Sequence, residues 1–290
     1  MQPLAALALA VALAAGSQAQ AQTVAATPDA TAEVRLLDGW RQADGSRVAA
    51  VSIALAPGWH TYWRVPGEAG IPPQFDWSGS RNIDGVSYRW PRPSLFDTGG
   101  IRTIGYEGTV TLPVVLRPAD PDQPIDLDLQ LTFGVCDEIC SQEAVELAVR
   151  LPAQAPRSAA APADLAQIDA ALADRPRTAR EAGVEQVTCA LDPGADGLEI
   201  TTTVTFSDRP ASDQMAVIES SSDRSWIGPP DSETVGRSVI ARAPVMPTPT
   251  RTASAGGGGG GGMLLDRRDI RVTLLDPHRA VDIRGCEAPG

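Results

Sequence analysis

The sequence predicts an all-β protein: a β-sandwich followed by a second β-sandwich-like domain, with one short helix linking them. Three observations predict it. Apolar residues recur with period two through several stretches of strand length. Proline and glycine, 25 and 27 of 290 residues, break these stretches at short intervals. A single window carries helical spacing.

The elements follow in chain order. An Ala/Leu/Val run ends near Ala15, and Ala19-Gln20-Ala21 follows as a small-residue cleavage motif before Gln22. The run is too short to cross a bilayer, which needs about 20 residues, and fits a secretory signal peptide at 1–21. No later stretch holds 18 consecutive apolar residues, so no membrane span is expected in the mature chain. Val51, Ile53 and Leu55 alternate with small or polar residues, and Thr109 to Leu116 is a second strand-like run. The clearest strand is Ile125 to Val135. Ile125, Leu127, Leu129, Leu131, Phe133 and Val135 share one face, opposite Asp126, Asp128, Gln130 and Thr132. Val145, Leu147, Val149 and Leu151 form its partner.

Pro152 to Pro162 is an Ala/Pro-rich linker. Leu165, Ile168 and Leu172 then share a helical face, and Pro176 stops the helix. Strand periodicity returns at Leu198 to Phe206, at Ile270, Val272 and Leu274, and at Val281 and Ile283. The glycine run 256–262 has no Lys-Ser/Thr after it and is read as a flexible loop, not a phosphate cradle. His278, after Asp276-Pro277, is a turn residue. Five of the six tryptophans lie between Trp40 and Trp90 and are expected mostly in the core. Tyr62 and Trp63 are adjacent, so in a strand only one points fully inward.

Composition excludes several functions. The net charge is −12 and every basic residue is arginine. Without lysine there is no Schiff base and no P-loop, and without a basic block there is no footprint for nucleic acid. Two histidines cannot make a three-histidine zinc site, and the four cysteines lack paired C-x2-C knuckles. Hydrolase signatures such as G-x-S-x-G and HExxH are missing. No cofactor is expected.

The chemistry therefore falls to Cys136, Cys140, Cys189 and Cys286. Cys136 and Cys140 flank the tip of the predicted hairpin, where strand alternation puts Cys136 on the polar face, and Ile139 is the one bulky apolar residue of the intervening loop. A bridge between them closes a five-residue loop and restricts the unfolded chain by roughly 2 kcal/mol; a Cys189–Cys286 bridge closes about a hundred residues, for about 4.7 kcal/mol. The long bridge is the better structural staple. The short, exposed pair is better suited to opening under thiol attack. A permanent hairpin staple, or a Cu(I) site with His60, remains an alternative for the short pair. Asp137, Glu138 and Glu143 crowd it, and negative neighbours raise a thiol's pKa.

At these residues a resemblance emerges. Pro57-Gly58-Trp59-His60-Thr61-Tyr62-Trp63, Trp90-Pro91, Gly105-Tyr106-Glu107-Gly108, Leu112-Pro113-Val114 and Cys136-x3-Cys140 occur in the order of one family. They resemble the periplasmic N-terminal domain of the DsbD thiol:disulfide interchange proteins, in particular the copper-sensitivity-suppressor ScsB group, over roughly Ala32 to Leu151. The resemblance implies an immunoglobulin-like redox domain at 28–152, a linker with a short helix at 153–176 and a second β domain at 177–290. It implies a periplasmic protein-disulfide reductase component whose cysteine pair takes electrons from a thioredoxin-like donor, soluble or membrane-tethered, and passes them to oxidised periplasmic clients. Cys140 would form the mixed disulfide and Cys136 would resolve it. Phe96 falls at the place of a shielding cap aromatic and Tyr62 beside the site, while His60 stands where the family can have another aromatic, so its role is open. The membrane channel and thioredoxin-like domain of many members have no counterpart in this sequence, so electrons would arrive in trans. Two alternatives stand beside this reading: a non-catalytic partner-binding or chaperone sandwich with structural disulfides, and a copper-handling protein.

Overall fold

The computed structural model describes residues 31–194, 197–210, 214–221, 225–248 and 265–289. The expected signal peptide and the glycine run lie outside the described residues. The first half holds β1 (Ala32–Arg41), β2 (Arg47–Leu55), β3 (His60–Gly67), β4 (Gln74–Asp76), β5 (Gly85–Tyr88), β6 (Ser94–Thr98), β7 (Ile101–Glu107), β8 (Thr109–Arg117), β9 (Ile125–Cys136) and β10 (Cys140–Leu151). Helix α1 (Pro162–Ala173) follows. The second half holds β11 (Arg177–Thr178), β12 (Val184–Gly194), β13 (Gly197–Phe206), β14 (Met215–Ser220), β15 (Ser225–Ile227), β16 (Asp231–Val235), β17 (Ser238–Pro247), β18 (Ile270–Leu275) and β19 (Ala280–Arg284). The fold is all-β, with sandwich-like halves and one α-helix among the described residues.

In the first half, a β1-β2-β8-β5 sheet faces a β10-β9-β3-β7-β6 sheet, with β4 continuing the pairing along β9. The period-two pattern of β9 and β10 explains why they pack here. Ile125, Leu127, Leu129, Leu131, Phe133 and Val135 all enter the core, joined by Leu147 and Leu151. Trp63 is fully buried at its centre, while Trp59, Trp77 and Trp90 pack around its edge. Each large apolar side chain so buried contributes roughly 1.5–3 kcal/mol.

Strand β2 is buried on both faces along most of its length. Its outer face is covered by α1: Ile168 joins Leu37, Val48 and Ala50 in a small second cluster, with Trp40 and Leu172 at its rim. Pro162 opens the helix at a position where a missing N–H costs nothing. Ahead of it, the Arg41 N–H donates to the Ala155 carbonyl, so the connecting segment is docked along β1.

The second half pairs a β11-β19-β18-β14 sheet with a β12-β13-β17-β15 sheet, β16 adding to β17. Ile200, Thr202, Val204 and Phe206 of β13 face inward, as their alternation requires. Cys189 of β12 is bonded to Cys286. The segment around Cys286 also runs along β12, where the Cys189 N–H donates to the Glu287 carbonyl and the Glu287 N–H to that of Val187. His278 lies in a turn built on Asp276, whose carboxylate accepts from the His278 and Arg279 N–H groups.

The two halves share apolar surface. On β14, Ala216 and Ile218 face the second core, whereas Val217 packs into the first, together with Leu275 and Ala280. Arg64 of β3 crosses this seam. Its guanidinium donates to both carboxylate oxygens of Glu219 at 2.7–3.2 Å and to the Thr273 hydroxyl at 3.2 Å, and it stacks 3.7 Å over the Trp63 ring. Burial lowers the Arg64 pKa more than Glu219 raises it, so the carboxylate is what makes the buried charge tolerable. Glu219→Ala strands that charge and is expected to cost about 2–4 kcal/mol in chemical denaturation, whereas the joint Arg64→Met/Glu219→Met replacement should cost less.

Candidate functional site

Strands β9 and β10 form a hairpin whose register runs from Ile125↔Leu151 to Cys136↔Cys140. The last pair is therefore directly cross-strand, with Asp137, Glu138 and Ile139 as the tip, and the two cysteines are disulfide-bonded with Cα atoms 4.0 Å apart. Their environments differ. Cys140 is exposed and Cys136 is 7% exposed.

That difference corrects an expectation. Alternation does place Cys136 on the face opposite Val135, but the face is not open to water there. The segment after β3 folds back over it, and the Gly134 N–H donates to the Ile71 carbonyl. A β-carbon on Gly134 would lie 2.9 Å from both Ile71 and the Tyr62 ring. The same cover buries Tyr62. Trp63 points into the sandwich core and Tyr62 the other way, yet Tyr62 is only 4% exposed because Gly70 and Ile71 lie across it.

Strand β3 aligns the site. It pairs with β9 on one side (His60↔Cys136) and with β7 on the other (His60↔Glu107). Cross-strand partners share a face, with β-carbons about 4.5–5.5 Å apart. Cys140, Cys136, His60 and Glu107 thus form one row across four adjacent strands. A buried hydrogen bond from the Thr61 hydroxyl to the Gly134 carbonyl, 2.7 Å, pins β3 to β9 beside the row.

Aromatic rings cover it. Phe96 of β6 stacks on His60, centroids 4.9 Å apart and planes 20° apart, and Tyr62 meets His60 edge-on at 5.5 Å. The Tyr62 hydroxyl lies 3.6 Å from Cys140 Sγ. A disulfide sulfur carries no proton, so the hydroxyl is the donor. Burial raises the Tyr62 pKa, keeping that proton in place. Burial also lowers the His60 pKa, against the opposing pull of Asp137 and Glu107, so at neutral pH the imidazole is uncharged. Beside the cysteines the hairpin tip is apolar at Ile139, 76% exposed, and acidic at Asp137 and Glu138, with Glu107 exposed at the far end of the row.

The structure thus brings Cys136, Cys140, His60, Tyr62 and Phe96 together. Cys189 and Cys286 lie apart, in the second core. Among the described residues no group of three or more His, Cys, Asp or Glu is gathered as a metal site, and no helix is long and apolar enough to cross a membrane. The sequence reading did not single out Gly70, Ile71 or the register of Glu107. Gly70 left a trace: two glycines and two prolines in Gly67-Glu68-Ala69-Gly70-Ile71-Pro72-Pro73 mark a segment that turns sharply.

Fold and site together define a class of β-sandwich domain organised around a hairpin disulfide beneath an aromatic cover, the class of thiol–disulfide interchange modules. Residues 21–152 match the family described as "Thiol:disulfide interchange protein DsbD, N-terminal". Among solved structures, the crystal structure of the N-terminal periplasmic domain of ScsB from Proteus mirabilis superposes with a TM-score of 0.63 at 24% identity, covering 92% of this chain and 97% of that one. The likeness therefore extends through the fold of both halves. No curated protein matches the chain.

Gly70 has a φ of +115°, and a β-carbon there would collide with the Tyr62 ring. Gly70→Ala is expected to displace the ring from the disulfide, whose Cys140 sulfur its hydroxyl meets, so that dithiothreitol reduces the Cys136–Cys140 bond several-fold faster, as read by thiol alkylation over time.

Proposed function

We propose that the Cys136–Cys140 disulfide relays electrons between a thioredoxin-like donor and oxidised exported proteins in the periplasm. The observation that carries this reading is the unequal exposure of the two cysteines: Cys140 is exposed to an incoming thiolate, and Cys136 is only 7% exposed. A donor thiolate attacks Cys140 Sγ in line with the S–S bond, and Cys136 leaves as a thiolate. The donor's second thiol then attacks its own sulfur in the mixed disulfide and frees Cys140. Two electrons and two protons have entered the pair. In the outward half-reaction, Cys140 attacks a client disulfide, and Cys136 attacks Cys140 Sγ to release the client and restore the bridge.

The surroundings suit a docking event. Ile139 offers apolar contact beside Cys140, and Asp137 and Glu138 favour a partner with a basic rim. We assign the cap role to Phe96, with Tyr62 and His60 flanking the pair, and the structural role to Cys189–Cys286. We read the chain as a signal peptide at 1–21, a redox domain at 28–152, a linker with a helix at 153–176 and a second β domain at 177–290.

Equilibration of the protein in redox buffers, followed by alkylation, tests the reading. The Cys136/Cys140 couple should titrate in the folded state above about −300 mV, in the range of exchanging rather than structural bridges. A pair reducible only after unfolding would leave a permanently bridged docking module instead. With a thioredoxin-like partner, Cys136→Ser should accumulate the mixed disulfide and Cys140→Ser should give none; equal trapping by both removes the assignment of roles. Cys189→Ala should lower unfolding free energy by about 2–5 kcal/mol while exchange at Cys136/Cys140 persists.

A further inference from the structure

We infer that His60 accepts the proton of the Cys136 thiol in the reduced site, with Glu107 as the positioning residue that steadies the imidazolium. The inference rests on the exchange reading above and deepens it.

The geometry begins with register. His60 is the directly opposed partner of Cys136 on one side and of Glu107 on the other. The three side chains therefore stand on one face in the order thiol, imidazole, carboxylate. Separations of about 4.5–5.5 Å between neighbouring β-carbons suit hydrogen bonding of side chains this long. The ring cannot swing freely, because Phe96 stacks on one of its faces and Tyr62 abuts it edge-on.

The groups facing His60 agree with the role. Glu107 comes from β7 and Asp137 from the hairpin tip; Tyr62 is the titratable neighbour on β3 itself, and Phe96 from β6 adds no charge. The imidazole is half-buried and uncharged at neutral pH, so it has a lone pair to offer, and two carboxylates stand ready for the positive charge it gains.

The chemistry is as follows. The proton of Cys136 Sγ passes to an imidazole nitrogen of His60. The resulting thiolate attacks Cys140 Sγ, which is bonded to the client, and the Cys136–Cys140 bond forms as the client's sulfur departs with the electron pair. The imidazolium returns its proton to solvent or to the departing thiolate. In the opposite half-reaction Cys136 leaves as a thiolate and takes up a proton from solvent, relayed through the His60 imidazole. An exposed Cys140 needs this help less than Cys136, whose burial and acidic neighbours favour the neutral thiol.

The test uses 5,5′-dithiobis(2-nitrobenzoate) on the reduced protein in stopped flow. Attack by Cys140 releases one thionitrobenzoate, and attack by Cys136 on the resulting mixed disulfide releases the second. A thiol at the ordinary pKa of about 8.5 is roughly 3% ionised at pH 7, so full assistance is worth about 30-fold there and more where burial raises that pKa. His60→Phe keeps an aromatic in the stack and removes the base. It should slow the second release at least about 5-fold at pH 7, leave the first within about twofold, and converge with the unmodified protein at alkaline pH, where the thiol ionises unaided. Glu107→Gln alters an exposed residue and carries little folding risk. It lowers the His60 pKa further, so the acid limb of the second phase should move to lower pH. Superimposable pH profiles of the second phase in His60→Phe and the unmodified protein would overturn the inference and leave the exchange reading standing. Failure of the unmodified protein to release the second thionitrobenzoate would overturn the exchange reading, and this inference with it.

Discussion

The structure turns on β3 being paired on both sides through its first residues. An edge strand in this place would leave His60 and Tyr62 in water and Trp63 without a facing core. Held between β7 and β9, the strand sends Trp63 inward as the largest fully buried side chain and Tyr62 outward toward the cysteines. The pairing of β3 with β7 then shifts between Tyr62 and Gly67. In that stretch Arg64 reaches the seam between the halves and the chain leaves to form the cover over Tyr62. One strand thus supplies the aromatic floor of the site, the anchor of the core and the charge that crosses to the second half.

That arrangement explains which features were legible in the sequence. Strands β9 and β10 were readable because each presents one face to water, which leaves the alternation intact. Strand β2 carried a weaker signal, since α1 covers its outer face and Ala49 and Ala50 are buried on opposite sides. The helix itself was readable from Leu165, Ile168 and Leu172. At the site, the cysteine pair and the family's aromatics could be picked out because they lie in short local motifs. The burial of Cys136 could not. It depends on Gly70 and Ile71, residues far from the hairpin in sequence, and alternation predicts only the direction of a side chain, never what lies above it. The neighbourhood of Cys136, His60 and Glu107 is likewise a matter of register between strands distant in the chain, which no local pattern encodes.

The second half bears on the site through rigidity rather than through contact with the sulfurs. Its β14-β18 edge is buried on both faces, with Ala216, Ile218, Val272 and Leu274 toward one core and Val217 and Leu275 toward the other. A shared core of this kind does not hinge cheaply, because opening it exposes apolar surface at about 25 cal/mol per Å². The Arg64–Glu219 pair adds specificity, since a guanidinium gripped by two carboxylate oxygens fixes an angle that apolar packing alone leaves loose. The base of β3 is therefore clamped, and motion near the disulfide is left to the β6–β7 hairpin, whose tip carries Gly99 and Gly100 in the left-handed region with nothing packed against them.

Electrostatics bear on the exchange proposed for the pair. Asp137 and Glu138 flank the sulfurs and Glu107 stands beyond His60, and among the described residues no arginine is ion-paired to any of the three. Such a field opposes a free thiolate and repels small anionic thiols and disulfides. It does not oppose a charge-neutral transfer in which a proton leaves sulfur for an adjacent imidazole, because the positive charge created there is the one the carboxylates stabilise. Nor does it oppose a partner that brings its own basic rim and displaces water from the apolar tip at Ile139. On the proposed exchange, the same acidic residues favour a partner with a basic rim over a small anionic thiol, which brings no such surface.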